Sequence, residues 1–156
     1  MTLLSSCYLF KGLSDTRLQA VDAIAKEVLI NKNQWLMHEG QKAETLIVLK
    51  IGAIELLTKV NGDFELPIAI LRHPGDCTGT SALLEPYVYS LSARCAKKGV
   101  VVMIQEAVLK QLMQEDHEIG CAIMKNLAQH LLARLKEARQ EMKIHFKTIF
   151  KSIHSS

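Results

Sequence analysis

The chain has 156 residues, 49% of them hydrophobic, which is about one domain with enough apolar side chains for a real core. No uninterrupted apolar run approaches the roughly 20 residues that span a bilayer, and MTLLSSCYLF lacks the basic and apolar regions of a signal peptide. The formal net charge of +3 is unevenly spread: residues 125–156 carry +5, which leaves −2 on residues 1–124.

Near the N-terminus, Ser14 or Asp15 is placed to cap a helix whose Leu18, Val21, Ile24, Ala25 and Val28 recur at helical spacing. The pattern then changes to short β-branched runs separated by Asn, Gly and Pro: LINKNQWLMHEG, ETLIVLKIGAIELLTKV and ELPIAILRHPG. Asn61-Gly62 is the strongest hairpin signal, because both residues tolerate positive φ. GDCTGTSALLEPYVYSLSAR follows, with the composition of a loop that cradles an anion. VYSLSARCA and GVVVMIQ read as two further strands, and QEAVLKQLMQED as a short helix. From Glu118 the pattern is helical to about Phe150, and the last proline is Pro86, so nothing breaks that helix. Closely spaced antiparallel strands predict a barrel or sandwich rather than a parallel sheet. The expected division is a mainly β body with an N-terminal helix over residues 1–118 and a long helix over residues 119–156.

That final helix has an a/d seam: Cys121, Met124, Ala128, Leu131, Leu135, Ala138, Met142, His145 and Ile149 follow alternating steps of three and four. The first turns, around Ile119 to Leu127, are expected to pack on the body. The later turns reach beyond it, and an exposed seam of that length predicts a homodimer through a coiled coil. At its end Lys143, Lys147 and Lys151 align at i, i+4, opposite Met142, Phe146, Ile149, Phe150 and Ile153. Three readings stay open there: the distal coiled coil of a dimer, a surface for a partner protein, and attachment to a membrane surface.

Cys7, Cys77, Cys95 and Cys121 are dispersed without a Cys-x-x-Cys pair, and the six histidines form no His-x-x-x-His pair. No metal and no cofactor are therefore expected, and free thiols suit a reducing, cytoplasmic setting. Spacing alone assigns no redox role to Cys7 or Cys77. No Ser/His/Asp or Cys/His spacing and no paired carboxylates support catalysis, so the chain is not expected to be an enzyme.

The order of elements resembles the cyclic nucleotide-binding domain family, the antiparallel β-roll (a jelly-roll-like barrel) of catabolite-activator-type regulators and kinase regulatory subunits. LFKGLSDTRLQAV resembles the family's opening helix, and HEGQKAETLIVLKIGAIEL its strand pair with Glu39-Gly40 and Gly52. NGDFELPIAILRHPGDCTGTSALL is similar to the hairpin leading into the phosphate-binding cassette, and the final helix to the dimerisation helix. The resemblance implies a mainly β fold with flanking helices and a long C-terminal helix.

It also implies a ligand site. In the family the cassette reads approximately Gly-Glu-x-Ala-Leu-Leu, a loop, then Arg-Ser/Thr-Ala. Gly79 matches the Gly, and Ala82, Leu83 and Leu84 match Ala-Leu-Leu. Thr80 falls where the Glu stands, Tyr89 where the Arg stands, and Ser90 is the Ser/Thr. Gly79, Thr80, Ser81, Ala82, Tyr89 and Ser90 are thus the expected ligand-site residues, with both charged positions lost. A buried phosphate without its Arg keeps much of its desolvation cost, which argues against cyclic AMP or cyclic GMP binding in the usual way. The dimer helix is expected to use Met124, Ala128, Leu131, Leu135, Ala138, Met142 and Ile149. The chain ends at KTIFKSIHSS without the winged helix-turn-helix of the family's transcription factors, so specific DNA binding is not expected. The reading is a stand-alone regulatory or sensor module acting through dimerisation and protein partners. The alternatives are an interaction protein with an empty pocket and a sensor of a different small ligand.

Overall fold

In the computed structural model, which describes residues 2–155, two 3₁₀ segments (Leu3–Ser6 and Tyr8–Phe10) lead into helix α1 (Asp15–Ala23). Six strands follow: β1 (Ala25–Ile30), β2 (Trp35–Met37), β3 (Thr45–Asn61), β4 (Phe64–Leu71), β5 (Cys77–Thr78) and β6 (Ser92–Gln105). A third 3₁₀ segment, Thr80–Leu83, separates β5 from β6, and helices α2 (Glu106–Glu115) and α3 (His117–His154) complete the chain. The sheet order is β1-β6-β3-β4, with β2 also on β6 and β5 also on β3, and every pairing is antiparallel.

β3 is nearly continuously apolar because both its faces are covered. Side chains alternate along a strand, so Leu46 and Val48 face the helices while Ile47 and Leu49 face the interior of the roll. β6 does the same with Val102 and Ile104 against Val101. The first cluster joins these strands to Leu4, Leu9, Phe10, Val21, Leu109, Ile119, Ile123 and Leu127. The second fills the roll with Ile30, Met37, Ile54, Ala82, Tyr89, Ala93 and Cys95.

The expected elements are present with four local differences. Ser14 caps α1 as expected, its Oγ accepting the Arg17 N–H at 3.3 Å. The helix stops at Ala23, however, and Ala25 and Val28 lie in β1, where pairing with Ile104 and Val101 outweighs their helical spacing. Asn61 pairs with Phe64, so the two hairpin corners are Gly62 and Asp63, with Gly62 at φ 56°. VYSLSARCA and GVVVMIQ are not two strands: residues 92–105 form one bent strand. α3 is longer than expected and begins at His117, capped by Asp116, whose Oδ1 accepts the Glu118 N–H at 3.1 Å.

The first turns of α3 pack on the body as predicted. Ile119, Ile123 and Leu127 are buried, and each full burial contributes about 1.5–3 kcal/mol. Asn126 donates from Nδ2 to the Leu9 and Lys11 carbonyls, both at 2.9 Å, and Arg17 bridges Asp116 and Glu118 at 2.9 and 2.8 Å. Burial would raise the Asp116 carboxyl, but Arg17 outweighs it and holds the group below its ordinary value. From Leu131 to His154 every residue of α3 is exposed.

β3 and β6 bend together where their backbones touch. A Cβ on Gly99 would lie 1.8 Å from the Ile51 carbonyl oxygen, and one on Gly52 (φ 104°) would lie 2.5 Å from that of Lys97. Only glycine permits this approach. Gly99→Ala is therefore expected to lower stability by about 3 kcal/mol, read as a reduced denaturant midpoint. A midpoint within error of the unsubstituted chain contradicts this account of the bend.

Candidate functional site

β5 is held against β3 through Cys77–Val48 and Thr78–Ile47, and the chain then turns at Gly79. Gly79 has φ 87°, and a Cβ there would lie 2.6 Å from the Thr45 carbonyl oxygen, so the position requires glycine. The next residues form the 3₁₀ turn, in which Ala82 and Leu83 are buried and anchor the segment. The first amides of such a turn have no acceptor within it, which leaves them for other partners. Before β5, Asp76 closes its own turn: Oδ2 accepts the Arg72 and His73 N–H groups, both at 3.0 Å.

The loop after the turn is stitched to residues 38–43. Gly40 N–H donates to the Tyr89 carbonyl and Tyr89 N–H to the Gln41 carbonyl, both at 2.9 Å, and Ala43 N–H donates to the Tyr87 carbonyl at 2.7 Å. These bonds orient Tyr89 inward. Its side chain is 8% exposed, packed in the roll, and its hydroxyl both donates to the Thr45 carbonyl and accepts the Thr45 N–H, each at 3.1 Å. Ser90 is exposed, and Ser81 Oγ donates to Ser90 Oγ at 3.4 Å.

A cavity of about 680 Å³ lies behind this loop. Thr80, Ser90 and Leu91 line it from the cassette, Leu56, Ile68 and Leu71 from the β3–β4 hairpin, and Ser6 and Tyr8 from the N-terminal segment. Of the six expected site residues, Thr80 and Ser90 line the cavity. Gly79, Ser81 and Ala82 form the turn beside it, and Tyr89 points into the core instead. The loop thus turns the Tyr89 side chain into the core and, at the bend of Ser90, leaves that hydroxyl beside the cavity.

α3 forms the remaining wall, and sequence reasoning had not placed it there. His130, Leu131, Arg134, Glu137, Ala138 and Glu141 face the cavity at spacings of one helix face. Leu131 and Ala138 thereby belong to both the apolar seam and the cavity. Tyr8 stacks on His130, with ring centroids 4.0 Å apart and planes 12° off parallel. Burial first, and then the nearby Arg134, pushes the His130 pKa down, which keeps the ring neutral at pH 7. Arg134 pairs with Glu137 at 2.8 Å. The lining carries three carboxylates (Asp76, Glu137 and Glu141) against the single guanidinium of Arg134, a formal −2.

Arg72, Arg94 and Lys97, basic residues of the flanking strands and loops, do not line the cavity. Arg94, near the start of β6, pairs with Glu55 and lies 5.1 Å from the Trp35 ring centroid. Glu39 of the His-Glu-Gly motif is structural: its carboxylate accepts from Thr58 Oγ1 at 3.1 Å and from the Lys59 N–H at 2.9 Å. Among the described residues no three His, Cys, Asp or Glu side chains gather as a metal site, and no helix is long and apolar enough to cross a membrane.

An arginine introduced at the two neighbouring positions separates their environments. Tyr89→Arg places a charge in the core and is expected to cost about 3 kcal/mol or more, whereas Ser90→Arg is expected to change stability by under about 0.5 kcal/mol. Urea denaturation of both variants tests this, and equal losses contradict the assignment.

The sequence matches the cyclic nucleotide-binding domain family over residues 27–116. No curated protein matches it. A crystal structure of a putative cyclic nucleotide-binding protein from Geobacter metallireducens is 31% identical, covering 81% of this chain and 91% of that one, with a TM-score of 0.69. The Thermus thermophilus catabolite activator protein is 22% identical over 88% of this chain and 62% of that one, with a TM-score of 0.73. The regulatory domain of Toxoplasma gondii PKA, crystallised with cAMP, is 21% identical over 70% of this chain and 41% of that one, with a TM-score of 0.65. The latter two likenesses show the β-roll fold. With the antiparallel roll, the glycine-started turn and the closing helix all present, the chain belongs to the cyclic nucleotide-binding domain family.

Proposed function

We propose that this chain is a non-catalytic regulatory module of the cyclic nucleotide-binding type whose cassette does not take cyclic AMP or cyclic GMP in the usual way. The observation that carries the reading is the charge of the cavity: the cassette offers the hydroxyls of Thr80 and Ser90, and the whole lining is formally −2. A cyclic phosphate entering there loses its hydration without meeting a free cation, since Arg134 is already paired with Glu137. Removing one partner of a desolvated phosphate–arginine pair costs about 2–5 kcal/mol, or roughly one and a half to three and a half powers of ten in affinity.

Titration calorimetry with both cyclic mononucleotides tests this, with dissociation constants expected above about 1 mM. Micromolar binding overturns the reading. The double variant Thr80→Glu, Ser90→Arg restores an acceptor and a cation at the two cavity-lining positions and is expected to bind measurably tighter. A large, partly apolar cavity with hydroxyl donors also suits an uncharged ligand, which is the second reading; it predicts a rise in melting temperature with neutral nucleoside-like compounds.

The same reading includes a homodimer along α3. Supporting it, Leu131, Leu135, Met142 and Ile149 are each about half exposed in the single chain, as are Phe146, Phe150 and Ile153. Phe64, Leu66, Ile68 and Ile70 form a second exposed apolar row on the edge strand β4, and Ile68 adjoins the same cavity. Leu135→Glu with Met142→Glu is expected to convert a dimer into a folded monomer in sedimentation velocity. A monomer before substitution, or a dimer after it, contradicts the interface.

A further inference from the structure

Beside the cavity lies a pair of cysteines that the cassette does not use. Cys7 lies between the two N-terminal 3₁₀ segments, and Cys77 opens β5. The fold presses these distant segments together: a Cβ on Gly75 would lie 2.6 Å from the Ser6 carbonyl oxygen and 2.8 Å from the Ser6 Cβ. Ser6, Tyr8, Gly75, Asp76 and Cys77 line the cavity from this seam. Cys7 belongs to the buried cluster beneath the helices, Cys77 and Tyr8 pack against that same cluster, and the two thiols shift each other's pKa. Cys7 is 1% exposed, whereas Cys77 is half-buried and borders the cavity. A small solute in the cavity therefore meets Cys77 before the buried Cys7.

We propose that Cys7 and Cys77 form a redox modification site, in which a peroxide entering the cavity converts the two thiols to an intramolecular disulfide. Cys77 lowers the Cys7 pKa, and Cys7 together with burial raises that of Cys77. In the first step the Cys77 sulfur attacks one peroxide oxygen and its proton passes to the departing oxygen; an S–O bond forms, the O–O bond breaks, and water leaves. Cys7 sulfur then attacks Cys77 sulfur, the S–S bond forms, the S–O bond breaks, and the departing hydroxide takes the Cys7 proton. Two thiols lose two electrons and one peroxide gains them, with two waters released.

The bond would tie together three walls of the cavity. It joins the N-terminal segment to β5 two residues before Gly79, and Tyr8, next to Cys7 in the chain, stacks on His130 of α3. The proposal stands on this geometry whatever ligand the cavity takes.

The test uses the full chain at neutral pH with a few equivalents of hydrogen peroxide, quenched by alkylation after denaturation and mapped by peptide mass spectrometry. Exposed Cys121 is the internal reference. The expected result is a Cys7–Cys77 linked peptide, two of the four thiols lost, a mass lower by two hydrogens, and reversal by dithiothreitol, while Cys121 remains alkylatable. In Cys7→Ser, Cys77 is expected to stop at a sulfenic acid trapped by dimedone. Oxidation of Cys121 with Cys7 and Cys77 still free, or Cys77 oxidised past the sulfenic stage in the unsubstituted chain without a link to Cys7, overturns the proposal.

Discussion

The contact on which this architecture depends is the backbone approach of β3 and β6 at Gly52 and Gly99. Two long strands pair from Thr45–Gln105 to Leu57–Ser92, and they can do so only if both bend at the same place. The Gly99 Cα sits where any side chain would strike the Ile51 carbonyl. On one side of that bend the two faces of the strands serve two cores, the helices on one face and the roll on the other, and beyond it Ile54 and Leu56 continue the roll core. β5 then pairs with β3, Gly79 reaches the Thr45 carbonyl, and Tyr89 hydrogen bonds the same residue. Thr45, at the start of β3, is thereby contacted by both ends of the cassette.

The cavity is a junction of separate parts of the chain. The cassette supplies hydroxyls, the hairpin supplies apolar surface, the N-terminal segment supplies Tyr8, and α3 supplies three of the four charged side chains. The Tyr8–His130 stack and the two Asn126 hydrogen bonds are the physical links between the N-terminal segment and α3. The Cys7–Cys77 contact links that same segment to β5, so the thiols sit where a covalent change has reach.

Much of the fold was legible because it rests on local rules. The helical cap at Ser14, the apolar runs of β3, the hairpin near residue 62 and the uninterrupted final helix each follow from spacing or turn chemistry within a few residues. The differences arise where a distant partner decides. Ala25 and Val28 fit a helix by spacing, yet pairing with β6 draws them into a strand. The hairpin turn moved by one residue because the register of β3 with β4, not the turn alone, selects its corners. The bend at Gly99 joined two apparent strands into one.

The site shows the same division. The sequence by itself determined the family frame: a glycine that must turn at position 79, an Ala82-Leu83 anchor, and a cassette with no cation between Asp76 and Arg94. Those properties depend on residue identity and close neighbours. Only the tertiary structure decided that Ser90 rather than Tyr89 borders the cavity, since hydrogen bonds to the distant Gly40, Gln41 and Thr45 set which way this loop turns its side chains. It alone brought Arg134, Glu137 and Glu141 to the same space. Their spacing was visible as a helix face, but what a helix face meets is set by packing with residues far away in the chain.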